Sequence, residues 1–387
     1  MATQTHFDSG NPDSENGGKE SSQNSQIGDA LRRISSRPLD LSSGFPEIAA
    51  RWEQWWARAN RTPLVLGGVR KKTAGRWDKA FDLLGDPSAW LEVRRAQCEN
   101  TYWIDATPPS IRVDIGPVTI GAYVGAPLEF DAETQTSWQT PIIEDWAAVL
   151  DSGFTADGEW LPRVKNLLAE TARDGAGRYL VCLPDLSGAI DTLANLRGTE
   201  CLIVDLFDEP EAVKAAADAL VTVWERIFFD FYTTILDAGS APVQWLNAWS
   251  DSPYTIPTCD FNAMIGPGQF REFCLPSLSR QAAIAGRCLF HLDGPDAARH
   301  ATALAETREI TAVQFTPGAG TPSALAHVPM FRMLQDAGKP ILVICPYDET
   351  VELVQKLDPK GLAIWPHDVP GIDAARELEV SVAGRRS

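Results

Sequence analysis

Short apolar runs alternate with longer amphipathic stretches along most of this chain. The runs are Leu64 to Gly68, Tyr179 to Leu183, Val243 to Leu246, Cys288 to Leu292, Thr311 to Phe315, Ile341 to Ile344 and Leu362 to Trp365. Each is too short for a helix and apolar on both faces, which is the pattern of a strand covered from two sides. Between them lie segments with helical spacing, among them Glu209 to Phe231, Pro267 to Ala285, Asp296 to Glu306 and Asp348 to Leu357. Strand and helix in regular alternation predict a parallel sheet. An eighth strand is sought within Tyr102 to Tyr123, where Thr101 to Asp105 and Pro117 to Gly121 are both strand-like. Eight such units predict an α/β fold, a single (β/α)8 TIM barrel. A doubly wound open sheet would carry G-x-G-x-x-G after its first strand, and Gly67-Gly68-Val69-Arg70-Lys71 does not supply it.

Ahead of the first strand, Ile48, Trp52, Trp55, Trp56 and Ala59 recur at helical spacing until Asn60-Arg61-Thr62-Pro63 breaks the pattern. This predicts an N-terminal helical extension. Residues 1–44 are rich in Ser, Asn, Gln and Gly, with few large apolar side chains, and are expected to be a disordered tail. The organisation expected is a tail over 1–44 and a barrel domain over 45–387.

Composition narrows the partners. The 387 residues include 34 Lys and Arg against 52 Asp and Glu, a net charge of -18, which repels nucleic acid and anionic lipid. No stretch is long and apolar enough to span a bilayer, and the N-terminus lacks a basic start followed by an apolar run. Seven cysteines, an odd number in a long chain, are expected to be reduced thiols in a cytoplasmic protein.

In a barrel, chemistry gathers at the C-terminal ends of the strands. The sharpest group there is His291-Leu292-Asp293-Gly294-Pro295. Residues two apart on a strand face the same way, so His291 and Asp293 can share a metal, with Cys345 or His367 as the third ligand. The plainer alternative is that Asp293 only caps the helix after it. Arg70, Lys71, Lys72 and Arg76 follow the first strand, a basic cluster suited to an anionic ligand or to solvent. Asp105 and Asp114 lie near the second strand and Asp185 after the third. After the fourth come Asn247 and the aromatics Trp245, Trp249 and Tyr254, which either line a pocket or pack the core.

The segment Asp260-Phe-Asn-Ala-Met-Ile-Gly-Pro-Gly-Gln-Phe-Arg-Glu-Phe-Cys-Leu-Pro276, with His291-Leu-Asp-Gly294, resembles the uroporphyrinogen decarboxylase superfamily, which includes cobalamin-dependent methyltransferases. Arg51-Trp-Glu-Gln-Trp-Trp56 and Leu206-Phe-Asp-Glu-Pro-Glu-Ala-Val213 are similar to members of the same group, so the resemblance spans most of 45–380. It implies a (β/α)8 barrel. Its methyltransferases carry His-x-Cys-Gly after the fifth strand and a Cys near the last, together binding zinc. Here Asp293 and His367 stand at those places, and both residue types bind zinc. Carboxylate oxygen donates less charge than thiolate, so the metal would be a stronger Lewis acid. The decarboxylases instead use arginines after the first strand, an Asp after the second, a Tyr after the third and a His at the last. Arg70, Arg76, Asp105 and His367 fall near those places, whereas Asp191 or Asn195 stands where the Tyr is expected.

The leading expectation is therefore zinc-dependent methyl transfer from a corrinoid-linked donor to a thiol or hydroxyl. His291, Asp293 and either Cys345 or His367 would hold the metal, and Arg70, Arg76, Asn247 and Trp249 the substrate. An alternative is metal-free decarboxylation of a tetrapyrrole-like polycarboxylate, with Asp105 as the charge stabiliser and Arg70 and Arg76 as carboxylate holders; across the readings the candidate catalytic groups are Asp105, His291 and His367. A second alternative is a non-catalytic barrel that binds a corrinoid or a partner protein. A small anionic substrate and a corrinoid protein are the expected partners, and a homo-oligomer is left open.

Overall fold

The buried runs form strands that lie side by side and parallel. The computed structural model describes residues 13–71, 83–131, 136–318 and 323–384, with side chains from residue 22 onward. The parallel strands are β1 (Leu64–Val65), β2 (Ser110–Arg112), β3 (Leu180–Cys182), β4 (Pro242–Val243), β5 (Leu289–Asp293), β6 (Ala312–Thr316), β7 (Ile341–Pro346) and β8 (Leu362–His367). One sheet has the order β1-β8-β7-β6-β5 and a second the order β2-β3-β4. Thr255 forms a parallel bridge to Cys288 beside β5. The molecule is thus mixed α/β, with a five-stranded parallel sheet and many helices. Leu289, Phe290, Leu292, Leu342, Val343 and Ile364 are fully buried. Each such side chain contributes about 1.5–3 kcal/mol on leaving water. The buried apolar residues form one continuous cluster from Ile27 to Val382.

The second parallel strand is not where either strand-like run predicts it. Thr101–Trp103 pairs antiparallel with Gly68–Arg70, Gly68 lying opposite Trp103. The chain then runs back along β1, with Ile104 N–H donating to Gly67 O and Ala106 N–H to Val65 O. Pro108 and Pro109 cannot donate to a ladder, and they separate this return from β2. Pro117 to Gly121 contains no strand and leads into a short helix, Ile120–Tyr123.

The expected tail is also different. A helix, α1 (Asp13–Ser35), occupies most of it. Ile27 and Leu31, one helical turn apart, are buried, as is Leu39. Asn24 Nδ2 donates to Ile284 O at 2.9 Å and Ser35 Oγ to Asp251 Oδ1 at 3.0 Å. A low apolar fraction does not prevent docking when the few apolar residues share one face. The predicted helical extension is α2 (Phe45–Trp56), whose Trp52 and Trp55 are buried and whose Trp52 Nε1 donates to Ala106 O. Among the described residues, no helix is long and apolar enough to cross a membrane.

Candidate metal centre and anion pocket

β5 delivers His291 and Asp293 to the same side, and Gly294, with φ +80°, turns the chain away immediately afterward. Asp260, the first residue of the 3-10 turn Asp260–Met264, comes to meet them. One ligand-type atom from each of the three lies within 4.8 Å of the others. On the neighbouring strand, Gln314 stands in register with His291 and Thr316 with Asp293. Gln314 Nε2 donates to Thr316 Oγ1 at 2.8 Å, which turns its carbonyl oxygen toward His291 Nδ1. His291 Nδ1 then donates, and the ring's lone pair is at Nε2, the arrangement of a metal-ligating histidine. His291 is only 9% exposed.

Asp293 begins a short helix, yet its carboxylate accepts no capping bond. Its Oδ1 is buried and has no hydrogen-bond partner among the described residues. The capping-only reading therefore lacks its bond, and a buried anionic oxygen is left that a cation would satisfy.

The surroundings add negative charge. Asp260 is exposed at the surface of the group, yet the neighbouring protein partly desolvates it, and this, then the charges of Asp293 and Asp185, pushes its carboxyl up to about 6. Asp191, at the start of the helix Ala189–Arg197, is buried behind Asp260. Its Oδ2 accepts from Thr258 Oγ1 at 2.8 Å and from Asp260 N–H at 2.9 Å, and its Oδ1 from Phe261 N–H at 3.0 Å. Asp191 thus fixes the turn that presents Asp260. Burial, followed by the charge of Asp260, pushes Asp191 up to about 7 despite those donors.

Trp245 links this acidic group to a basic one. Its ring meets the His291 ring edge to face, centroids 5.0 Å apart, and the Arg112 guanidinium stands 5.8 Å from the Trp245 ring centre. On the Arg112 side is a cavity of about 320 Å³ bordered by Arg70, Arg94, Arg112 and Asn247. Arg70 comes from the Gly68–Arg70 strand, Arg94 from α3 (Pro87–Glu99) and Arg112 from β2. Arg94 is half-buried, and burial lowers its pKa, offset in part by Asp114 and reinforced by Arg112 and Arg70. Asn247, held at φ +53°, accepts from Ser110 Oγ at 2.7 Å.

The structure brings together His291 and Asp293, and separately Arg70 and Asn247. It does not bring Cys345 or His367 to the triad. Cys345 is fully buried with its Sγ 3.6 Å from Thr350 Oγ1, and burial pushes the thiol up to about 12. His367 is exposed and pairs with Asp368 at 2.6 Å. Asp105 lies beside β1 on the antiparallel return. It forms a two-pronged ion pair with Arg51 at 2.5 and 2.8 Å and accepts from Val65 N–H, so its carboxylate is committed to the scaffold. Trp249 is buried against Phe45 and donates to Asp251. Arg76 and Lys72 lie outside the described residues.

Asp260, Arg94 and Arg112 escaped the search for residues at strand ends. Asp260 sits on a turn, Arg94 on a helix, and Arg112 on a three-residue strand shorter than any run the pattern marks.

No family model and no curated protein matches this sequence. Among solved structures, the chain is similar in fold to a methyltransferase from Methanosarcina mazei, with a TM-score of 0.57. The two are 10% identical, and the match covers 87% of this chain and 98% of that one. At that identity the likeness is one of chain path.

Proposed function

We propose that this protein is a metal-dependent methyltransferase built on a (β/α)8 barrel, related to the uroporphyrinogen decarboxylase superfamily. The observation that carries the reading is the buried, unpartnered Oδ1 of Asp293 beside His291 and Asp260. The parallel strand order and the fold likeness to a methyltransferase support it.

His291, Asp293 and Asp260 would hold the metal, a nitrogen and two carboxylates of the donor types that suit zinc. Bound there, zinc supplies Lewis acidity that lowers the pKa of an acceptor thiol or hydroxyl. Gln314 keeps the His291 lone pair directed at the site, and Asp191 keeps the Asp260 turn in place. The acceptor loses its proton to solvent and its heteroatom bonds to the methyl carbon. The bond from that carbon to the methyl donor breaks with its electron pair remaining on the donor, a role that a corrinoid-linked donor would fill. Decarboxylation through Asp105 has no comparable support, because Arg51 and Val65 already occupy that carboxylate.

Zinc titration of metal-stripped protein tests the reading. It should take up about one zinc per chain. His291→Ala and Asp293→Asn should abolish uptake, whereas uptake unchanged in both variants would sink the assignment.

A further inference from the structure

The basic cavity has no role in holding a cation, yet it contacts the metal centre through one shared ring. None of the residues that line it is acidic, while three are arginines. Asp114, which pairs with Arg112 at 3.2 Å, leaves the cluster with an excess of positive charge. Arg94 Nη1 donates to Gln97 Oε1 at 3.1 Å, but Arg94 Nε is buried and without a hydrogen-bond partner among the described residues. Such a donor raises the free energy of the protein until an acceptor reaches it. Guanidinium groups converge where a planar oxyanion is held, because their forked N–H groups match two of its oxygens. The indoles of Trp103, Trp245 and Trp365 complete the wall and provide apolar surface beside the charge.

The geometry points to this cavity as the seat of the acid head of the methyl acceptor. The acceptor is a small organic anion, with a carboxylate or phosphate at one end and a thiol or hydroxyl at the other. Arg94 and Arg112 hold the head, the linking carbons lie along Trp245, and the heteroatom reaches the Asp260, His291 and Asp293 side. Trp245 lies 5.8 Å from the Arg112 guanidinium and 5.0 Å from the His291 ring, a span that a chain of a few bonds bridges. Which end reacts rests on the metal-centre reading above. The anion seat itself does not.

Calorimetric titration of the full chain separates the two. In EDTA, glutarate and inorganic phosphate serve as head-group probes. We expect at least one to bind, and Arg94→Gln and Arg112→Gln each to weaken it by about tenfold or more, the loss of a charged hydrogen bond. Arg94→Lys and Arg112→Lys, which keep the charge but not the fork, should fall between, and they serve as the test where a glutamine variant fails to give a cooperative melt. Tighter glutarate than phosphate identifies a carboxylate head, and the reverse a phosphate. Cys345→Ala, which borders neither the cavity nor the acidic triad, should leave probe binding within about twofold. Failure of both probes to bind wild type, or unchanged binding in the arginine variants, overturns the inference even if zinc is taken up. Arginine-dependent anion binding in a chain that takes up no zinc upholds the seat and removes the metal centre instead.

Discussion

A buried carboxylate oxygen with no donor is a standing cost to the folded state, and Asp293 Oδ1 is such an atom. Its nearest charged neighbours include another acid, Asp260, within the 4.8 Å ligand cluster. Asp293→Asn removes a charge and sets an amide N–H where it can face the Asp260 carboxylate. Relief of one unsatisfied buried group is worth about 1–3 kcal/mol. The metal-free variant should therefore be more stable than wild type by that amount, the reverse of what most buried substitutions do. Zinc should restore the ordinary order. At a free concentration a thousandfold above Kd, binding to the native state adds about 4 kcal/mol to wild type and nothing to a variant that cannot bind. Urea unfolding in EDTA and in zinc-buffered solution reads both signs. A variant less stable than wild type in EDTA, or raised by zinc as much as wild type is, would refute the reasoning.

The same acids set a pH dependence. With Asp191 pushed up to about 7 and Asp260 up to about 6, the folded chain binds these protons more tightly than the unfolded one does. Ionising them opposes folding, so their contribution to stability should fall as pH rises from about 4 through 7. Urea midpoints of metal-free protein across that range should show a slope that Asp191→Asn reduces, and zinc affinity should weaken below about pH 6 as Asp260 takes up a proton. Asp105→Ala should cost about 1–3 kcal/mol, because it leaves the part-exposed Arg51 guanidinium and the Val65 N–H without their partner. Zinc stoichiometry should not change, and a stable variant that has lost zinc binding would place Asp105 in the site after all. Cys345→Ala and His367→Ala should each retain full zinc uptake. The Cys345 thiol, with its pKa about 12, should resist alkylation at pH 8 until the chain unfolds.

Seven of the eight parallel strands were legible because each is an apolar run bounded by breakers, and β5 to β8 coincide with the runs that predict them. β2 was not, since three residues after Pro108-Pro109 carry too little pattern, while Thr101–Trp103 shows strand composition for a local hairpin instead. His291 and Asp293 were readable from their spacing on one strand. Asp260 was visible only as the head of a recognisable segment, and nothing in its neighbourhood marks it as a partner of His291, 31 positions along the chain. The same holds for Arg70, Arg94 and Arg112, which three separate elements bring to one cavity. Average composition misjudged residues 13–44 because docking depends on where apolar residues fall, and Ile27 and Leu31 fall together.

Trp245 touches the His291 ring of one group and the Arg112 guanidinium of the other through a single rigid plane. A ligand on either side restricts that plane, so the second ligand meets a ring already fixed and loses less freedom on binding. Linkage makes the effect mutual: the factor by which a bound anion tightens zinc must equal the factor by which zinc tightens the anion. Comparing those two factors in wild type and in Trp245→Ala would show whether the indole is a wall between two independent sites or the element that makes each sense the other.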